Sequence, residues 1–316
     1  MVARWLATLV LVVAPSLAMG AAPIPNDILL QPWEHGGAQI QLSQVRTLTQ
    51  RLSKQNLLYQ LHLADLQKRD LVRTSQELDA ALESLRDGSP TLAVPPPPTR
   101  QVRDAIELLD QAWGPLRRLA LASAFDYVRR AGSASGRSGT DPLLIRHFDE
   151  LAQAVDQRAA AAQQRYEEVC ERSGIPDCPV VARATSTGML SERMVKEAVL
   201  VFAGFDAEAN SARLRESRGR MDRLLELAAA HETVQSAMSR ERGKIGEVVG
   251  ELWGEIGGNW DRLSHDLGLA LVDQGRQLDV VGTVAVQQVF VEDLQRFSVA
   301  VQRFTAARRM AGVVPP

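Results

Sequence analysis

Two short phrases carry side chains that could do chemistry at matched spacing. LTQRLSKQNLL occupies residues 48–58 and LSERMVKEAVL occupies 190–200, 142 positions apart. In that register Leu48, Arg51, Lys54 and Leu58 recur unchanged as Leu190, Arg193, Lys196 and Leu200. Thr49, Gln50, Leu52 and Gln55 become Ser191, Glu192, Met194 and Glu197, all of similar type. Arg51 and Arg193 lie beside a helical seam and are read as partners of carboxylates on neighbouring helices, the usual way a charge near a core is managed. Lys54 and Lys196, three positions further on, are read as residues of a solvated face. The other reactive residue types form no catalytic set. His35, His62, His147, His231 and His265 show no H-x-x-x-H or H-E-x-x-H spacing. There is no G-x-S-x-G elbow, no glycine-rich loop between strand and helix, and no E-x-x-H pair of the kind that binds metals in helical bundles. A non-enzymatic protein without cofactor or metal is expected.

The elements that position these phrases are helices. Aromatic residues make up 5% of the chain, against many Ala, Leu, Val, Arg, Gln and Glu. Apolar residues recur at three- and four-residue steps from about Gln39 to Arg86, which predicts one long helix there. DGSP at 87–90 stops it, and VPPPPTR at 94–100 is a stiff connector. Periodicity resumes at Val102, Ile106, Leu109, Trp113, Leu116 and Leu119, with a kink or new turn at Pro115. SASGRSGTDP at 133–142 is a loop, and Asp141-Pro142 can cap a helix over 143–172. A second long helix is predicted from about Val181 to Ala230, interruptible at Gly204-Phe205-Asp206. Others follow over Thr233–Trp253, from Asn259 or Trp260 onward, and over Val280–Met310, with GEIGG at 254–258 as a break. Leu82 and Leu85 recur as Leu224 and Leu227, and Trp113-Gly114 recurs 140 positions on as Trp253-Gly254. Two diverged copies of one helical module explain these matches. The expected fold is all-α: two tandem antiparallel helical-bundle modules of about four helices each, residues 39–178 and 179–316, after a leader and a 21–38 linker.

Residues 1–20 read as that leader. Arg4 precedes an apolar run from Trp5 to Val13, and small residues surround Ala18 to Ala22, the three parts of a secretory signal peptide. The run is short for a membrane span, which needs roughly 20 residues; an uncleaved anchor is the other reading. Export to the periplasm fits Cys170 and Cys178, which bracket a turn-rich segment and are expected to form a disulfide. Such a staple contributes on the order of 2–3 kcal/mol. A zinc site there lacks further ligands. Charge is nearly balanced, with 36 basic and 38 acidic residues and a net of −2. That gives no electrostatic case for nucleic acid.

The stretches Leu42-Ser43-Gln44-Val45-Arg46-Thr47-Leu48-Thr49-Gln50-Arg51-Leu52-Ser53-Lys54 and Met189-Leu190-Ser191-Glu192-Arg193-Met194-Val195-Lys196-Glu197-Ala198 resemble the signature helix of the PilJ/NarX-type sensor module. That module is the periplasmic four-helix domain of nitrate/nitrite sensor kinases and type IV pilus chemotaxis transducers. Its first helix carries a pattern close to A-G-R-Q-R-M-L-S-Q-R-M-A-K. The continuation FAGFDAEANSARLRESRGRMDRLLEL is similar to the family as well. The resemblance implies a sensor that binds a small nitrate- or nitrite-like oxyanion between facing helices and acts with a membrane-bound signalling or envelope protein. Guanidinium suits that ligand, since it is planar, charged and presents a fixed fork of donors. By resemblance Arg46 is the anion contact, with Thr49, Gln50 and Arg51 around it. The second copy has Gly188 at the matching position, with Arg183 upstream as a substitute, so a homodimer through the first module would be needed to bring two Arg46 side chains together. A periplasmic scaffold or adaptor that keeps only the fold is the alternative.

Overall fold

The computed structural model describes residues 32–61, 63, 68–131, 141–173, 178–238, 243–272 and 275–310. The leader at 1–20, the loop at 133–140 and the turn between the cysteines at 174–177 lie outside the described residues, as do the side chains of Arg183 and Cys178.

The described chain is helical, with one isolated bridge between Ser89 and Val94. The helices are α1 (Pro32–Gln60), α2 (Lys68–Asp87), α3 (Arg100–Ala131), α4 (Pro142–Arg172), α5 (Cys178–Phe202), α6 (Ala207–Ala230), α7 (Glu232–Met238), α8 (Gly243–Leu271) and α9 (Val280–Met310). None of the described helices is long and apolar enough to cross a membrane. Contacts of α1 with α2, α2 with α3, α3 with α4 and α4 with α1 close one four-helix set. The helices α5 to α9 form a second set, joined chiefly through α5–α6, α8–α9 and α5–α9. The two sets meet along α1 and α5, the most extensive helix–helix packing in the molecule.

Local chemistry explains most boundaries. Asp141 caps α4 by accepting hydrogen bonds from the amides of Leu143 and Leu144, with Pro142 in the first turn. Gly88, at φ 81°, ends α2 at the predicted stop. The expected interruption at 203–206 separates α5 from α6, through Gly204 (φ 75°) and Asp206 (φ 39°). Pro115 lies inside α3, which runs on through it.

Three expectations are corrected. The pattern from Gln39 to Arg86 is two helices, not one, because α1 ends at Gln60 and α2 begins at Lys68. A single helix of that length would leave its apolar stripe without a cover, whereas folding back buries Leu42, Val45, Leu48 and Leu52 against Leu71, Leu78, Leu82 and Leu85 in one core. GEIGG does not break the chain; α8 runs straight through it. Val249, Leu252, Ile256, Trp260, Leu263 and Leu267 form one unbroken buried stripe. The glycines lie off that stripe, where an added Cβ at Gly254, Gly257 or Gly258 would meet nothing. Packing along the stripe outweighs their helix cost of about 1 kcal/mol each. The third correction concerns tryptophan. Trp113 Nε1 on α3 donates to Asp79 Oδ1 on α2 at 2.7 Å. The matching bond in the second set comes from Trp260, whose Nε1 donates to Asp222 Oδ1 on α6 at 3.0 Å. Trp253 instead packs its ring 5.0 Å from that of Phe297. In the same register Val102, Leu109 and Leu116 stand where Val249, Ile256 and Leu263 stand, all buried. At the offset of the two aspartates Leu78 and Met221 are both buried, whereas Leu227 is 55% exposed.

Candidate functional site

The two phrases face each other. Contacts of α1 with α5 advance in the same direction, Thr47 against Gly188 and then Arg51 against Glu192, so the helices are parallel. Between them lies a buried polar seam containing Thr49, Gln50, Ser53 and Lys54 from α1 and Ser191, Glu192, Lys196 and Glu197 from α5.

Glu192 is the centre of the seam. Its Oε1 accepts from Arg51 Nε at 2.8 Å, and its Oε2 lies 2.6 Å from Lys54 Nζ. Burial pushes the Glu192 carboxyl up, but Lys54 and Arg51 outweigh burial and hold it below the usual carboxylate range. Arg51 thus pairs with a carboxylate on a neighbouring helix, as expected. Arg193 instead takes Glu197 from its own helix, at 2.8 Å. The expectation of solvated lysines is overturned. Lys54 is 6% exposed and Lys196 3%. Each reaches across to the last long helix of the opposite set. Lys54 Nζ donates to Gln287 Oε1 on α9 at 2.7 Å, and Lys196 Nζ donates to Asp149 Oδ1 on α4 at 2.6 Å. A lysine beside an apolar stripe is solvated only if nothing covers that flank, and here the second helical set does.

Asp149 also accepts from Gln153 Nε2 at 2.6 Å and from Ser53 Oγ at 3.4 Å. Burial raises its carboxyl, yet Lys196, Gln153 and Arg213 outweigh burial and leave it low. Glu197 goes the other way. Burial raises it, and neither Arg193, Lys196 nor the Ser217 hydroxyl offsets that. These directions fix a pH profile. Glu192 and Asp149, lowered by folding, stabilise above their unfolded values, and that contribution disappears as pH falls through their folded values. Glu197, raised by folding, stabilises below its unfolded value and loses that contribution as pH rises through its folded one. Melting temperature is therefore expected to peak near about pH 5 and to drop steeply below about pH 4. A flat profile from about pH 7 to about pH 3 would contradict the seam's assigned charges.

The four residues assigned to an anion do not converge. Arg46 turns away from α5 and toward α4. Its Nε donates to Asp156 Oδ1 at 2.8 Å, Nη2 reaches Asp156 Oδ2 at 3.5 Å, and Nη1 donates to Gln163 Oε1 at 3.2 Å. Opposite the next residue, a Cβ on Gly188 would come 3.3 Å from the Thr47 hydroxyl. The Thr49 hydroxyl donates to the carbonyl of Val45 at 2.7 Å. Gln50 is 2% exposed, with no hydrogen-bond partner for its Oε1 among the described residues. Arg51 is held by Glu192. The seam's cavity, lined by Ser53, Asn56, Asp149 and Lys196 among others, measures about 10 Å³, room for one water.

Asp149, Asp156 and Gln163 were not singled out in the sequence, although a signal for them exists. They recur every seven residues on α4, beside the buried stripe of Phe148, Ala152, Val155, Ala159 and Ala162. A polar line at that spacing marks one face of a helix. On α9 the residue seven beyond Gln287 is Leu294, where α4 has Asp156 seven beyond Asp149, and α5 has Gly188, opposite Thr47, at the level of Arg46. Arg46→Ala is therefore expected to cost about 2 kcal/mol by stranding a carboxylate that is 13% exposed. Adding Asp156→Leu should recover most of that loss. Chemical denaturation of the single and double variants measures both; a double variant weaker than Arg46→Ala would refute the pairing.

No group of His, Cys, Asp and Glu able to hold a metal occurs among the described residues. Residues 29–135 match the family model for the N-terminal region of type IV pili methyl-accepting chemotaxis transducers, PilJ. The matched stretch includes α1, α2 and α3. No curated protein and no solved structure matches the chain.

Proposed function

We propose that this chain is an exported, sensor-type helical protein built from two diverged copies of one PilJ-like module, fused so that one copy serves as the other's dimer partner. The observation that carries the reading is the parallel packing of α1 on α5, which sets two versions of one signature helix face to face along a charged seam. The PilJ match over 29–135 supports it for the first copy. The Trp113–Asp79 and Trp260–Asp222 bonds support it for the second. The face of α1 that a homodimer would use is covered by α5. Sensing in this arrangement is a change in how α1 packs on α5, passed to a membrane-bound signalling protein. Export follows from the leader at 1–20. A Cys170–Cys178 bridge would then tie the end of α4 to the start of α5.

A nitrate-like oxyanion at Arg46 would take the guanidinium edge that Asp156 now occupies, with Thr49, Gln50 and Arg51 on the adjoining turn. Thermal melting with nitrate and nitrite tests this, because a ligand of the folded state raises stability by RT ln(1 + [L]/Kd). The reading expects a shift in the native chain that is lost in Arg46→Ala, each compared with its own unliganded baseline. No shift at about 10 mM anion, or an equal shift in Arg46→Ala, removes the anion from Arg46. One observation favours a second reading, an adaptor with no ligand at α1: Arg46 is already satisfied by Asp156 and Gln163. Capture of an envelope protein by the chain without added anion, undiminished in Arg46→Ala, is the result that reading expects.

A further inference from the structure

A groove of about 380 Å³ runs between α8 and α9, within the size range of small-molecule sites. Its floor is the carboxylate of Asp293, which is 5% exposed. Asn259 Nδ2 donates to Asp293 Oδ2 at 2.7 Å, and Arg296 Nη1 donates to Oδ1 at 3.1 Å. Burying a carboxylate between two packed helices is unfavourable unless it is paired, and apolar residues of similar size do the packing as well or better. The first helical set uses such residues. In the register of the matched tryptophans and lysines, Asp293 and Asn259 answer to Val155 and Ala112. Val155 is fully buried, and the half-buried Ala112 packs against the same core. The polar pair is therefore not required by the packing of the two helices.

The rim supplies the rest. Gly258 leaves the groove open, since a Cβ there would meet nothing within 4 Å. Arg262, one turn along α8, is exposed and makes no ion pair or hydrogen bond among the described residues. Arg296 is satisfied, by Asp293 and by Glu255 at 3.4 Å. The groove thus holds two carboxylates and two guanidiniums, with the Arg262 guanidinium unclaimed among the described residues. One turn back on α8, beside it, are the Asn259 amide oxygen and the Asp293 carboxylate that Asn259 holds. Val289, 47% exposed, adds an apolar wall.

We infer that the α8–α9 groove is a binding site for a small zwitterion of the α-amino acid class. The ligand's carboxylate pairs with Arg262, the planar fork suited to it. Its ammonium group lies on Asp293 and the Asn259 oxygen, and its side chain lies over Gly258 against Val289. A molecule with one charge uses only half of this pattern. The comparison with α3 and α4 rests on the duplication proposed above; the geometry of the groove does not.

The test is a thermal-melt panel on the purified chain, with each of the common L-amino acids at about 10 mM and acetate and methylammonium alone as single-charge probes. At least one amino acid is expected to raise the melting temperature by roughly 2 °C or more. Neither single-charge probe should reproduce the shift. Arg262→Ala and Gly258→Leu alter exposed positions, and circular dichroism checks that they stay folded. By calorimetry both should weaken the amino acid at least about tenfold, the loss of one charged or well-packed contact. Arg46→Ala should leave this binding intact, which separates it from the anion test. The proposal is overturned if no amino acid shifts the melt, if acetate alone gives the full shift, or if the two groove variants bind as the native chain does.

Discussion

Glu192→Leu is expected to destabilise the protein by about 4 kcal/mol or more, the largest effect of any single change along the seam. The substitution fits sterically but removes the one anion shared by two buried cations. Arg51 has some recourse, because its side chain is 32% exposed and can turn toward water. Lys54 has little. Its side chain is 8% exposed, and its other partner among the described residues is the neutral Gln287. An ammonium group left with one amide oxygen in a packed interior retains most of its desolvation cost. The loss should appear as a lower denaturant midpoint at an unchanged slope, since the surface exposed on unfolding is nearly the same. Replacing all three charges, with Arg51→Met and Lys54→Met added to Glu192→Leu, should restore most of the stability, because no charge then stays buried. If the triple variant were no more stable than Glu192→Leu, the seam would be held by something other than these charges. The comparison also bears on function. A seam kept for specificity of packing should tolerate the triple variant in stability while losing the fixed register of α1 on α5.

The helices were readable because each buries one stripe, and a stripe is local in sequence. Val102 to Leu119 and Ile145 to Val169 needed only their own spacing, and Asp141 announced its helix by cap chemistry alone. Most of the corrected positions depend on a partner elsewhere in the chain. The turn after Gln60 is invisible because the leucines on both sides keep helical spacing. What separates α1 from α2 is the gain from folding one stripe onto the other. GEIGG looks like a break by composition, and only the continuity of Leu252, Ile256 and Trp260 on one face overrides it. Trp253 matched Trp113 by its neighbouring glycine, but the acceptor that defines the position, Asp79 or Asp222, lies on another helix. Lys54 and Lys196 sit on a flank that a single bundle would leave in water. Their burial requires α9 and α4 to arrive from the opposite set, which no local pattern states. For the same reason Arg46 could be placed on the right helix and not on the right neighbour. Its partner Asp156 lies 110 positions away.

Asp149→Leu should be the second most damaging change, at about 3–5 kcal/mol, and its effect should depend on Lys196. Asp149 gathers Lys196, Gln153 and Ser53 within hydrogen-bond reach. Of these, Lys196 has least alternative, with its side chain 4% exposed. Ser53 and Gln153 lose a neutral bond each, a smaller term of about 1 kcal/mol. In an Asp149→Leu, Lys196→Met background the buried ammonium is gone, and a coupling of about 2 kcal/mol or more is expected from the double-mutant cycle. The opposite flank of the seam supplies the control. Gln287 receives Lys54 as Asp149 receives Lys196, but it is neutral, and Lys54 keeps Glu192 when Gln287 is removed. Gln287→Leu should therefore cost only about 1–2 kcal/mol. Equal losses on the two flanks would mean that the lysines are held by packing, with the acceptor's charge irrelevant. Unequal losses in the expected order would mean that the two flanks differ in strength although each lysine crosses to the opposite set. A perturbation that moves α1 against α5 would then break the Lys54–Gln287 contact before the Lys196–Asp149 contact.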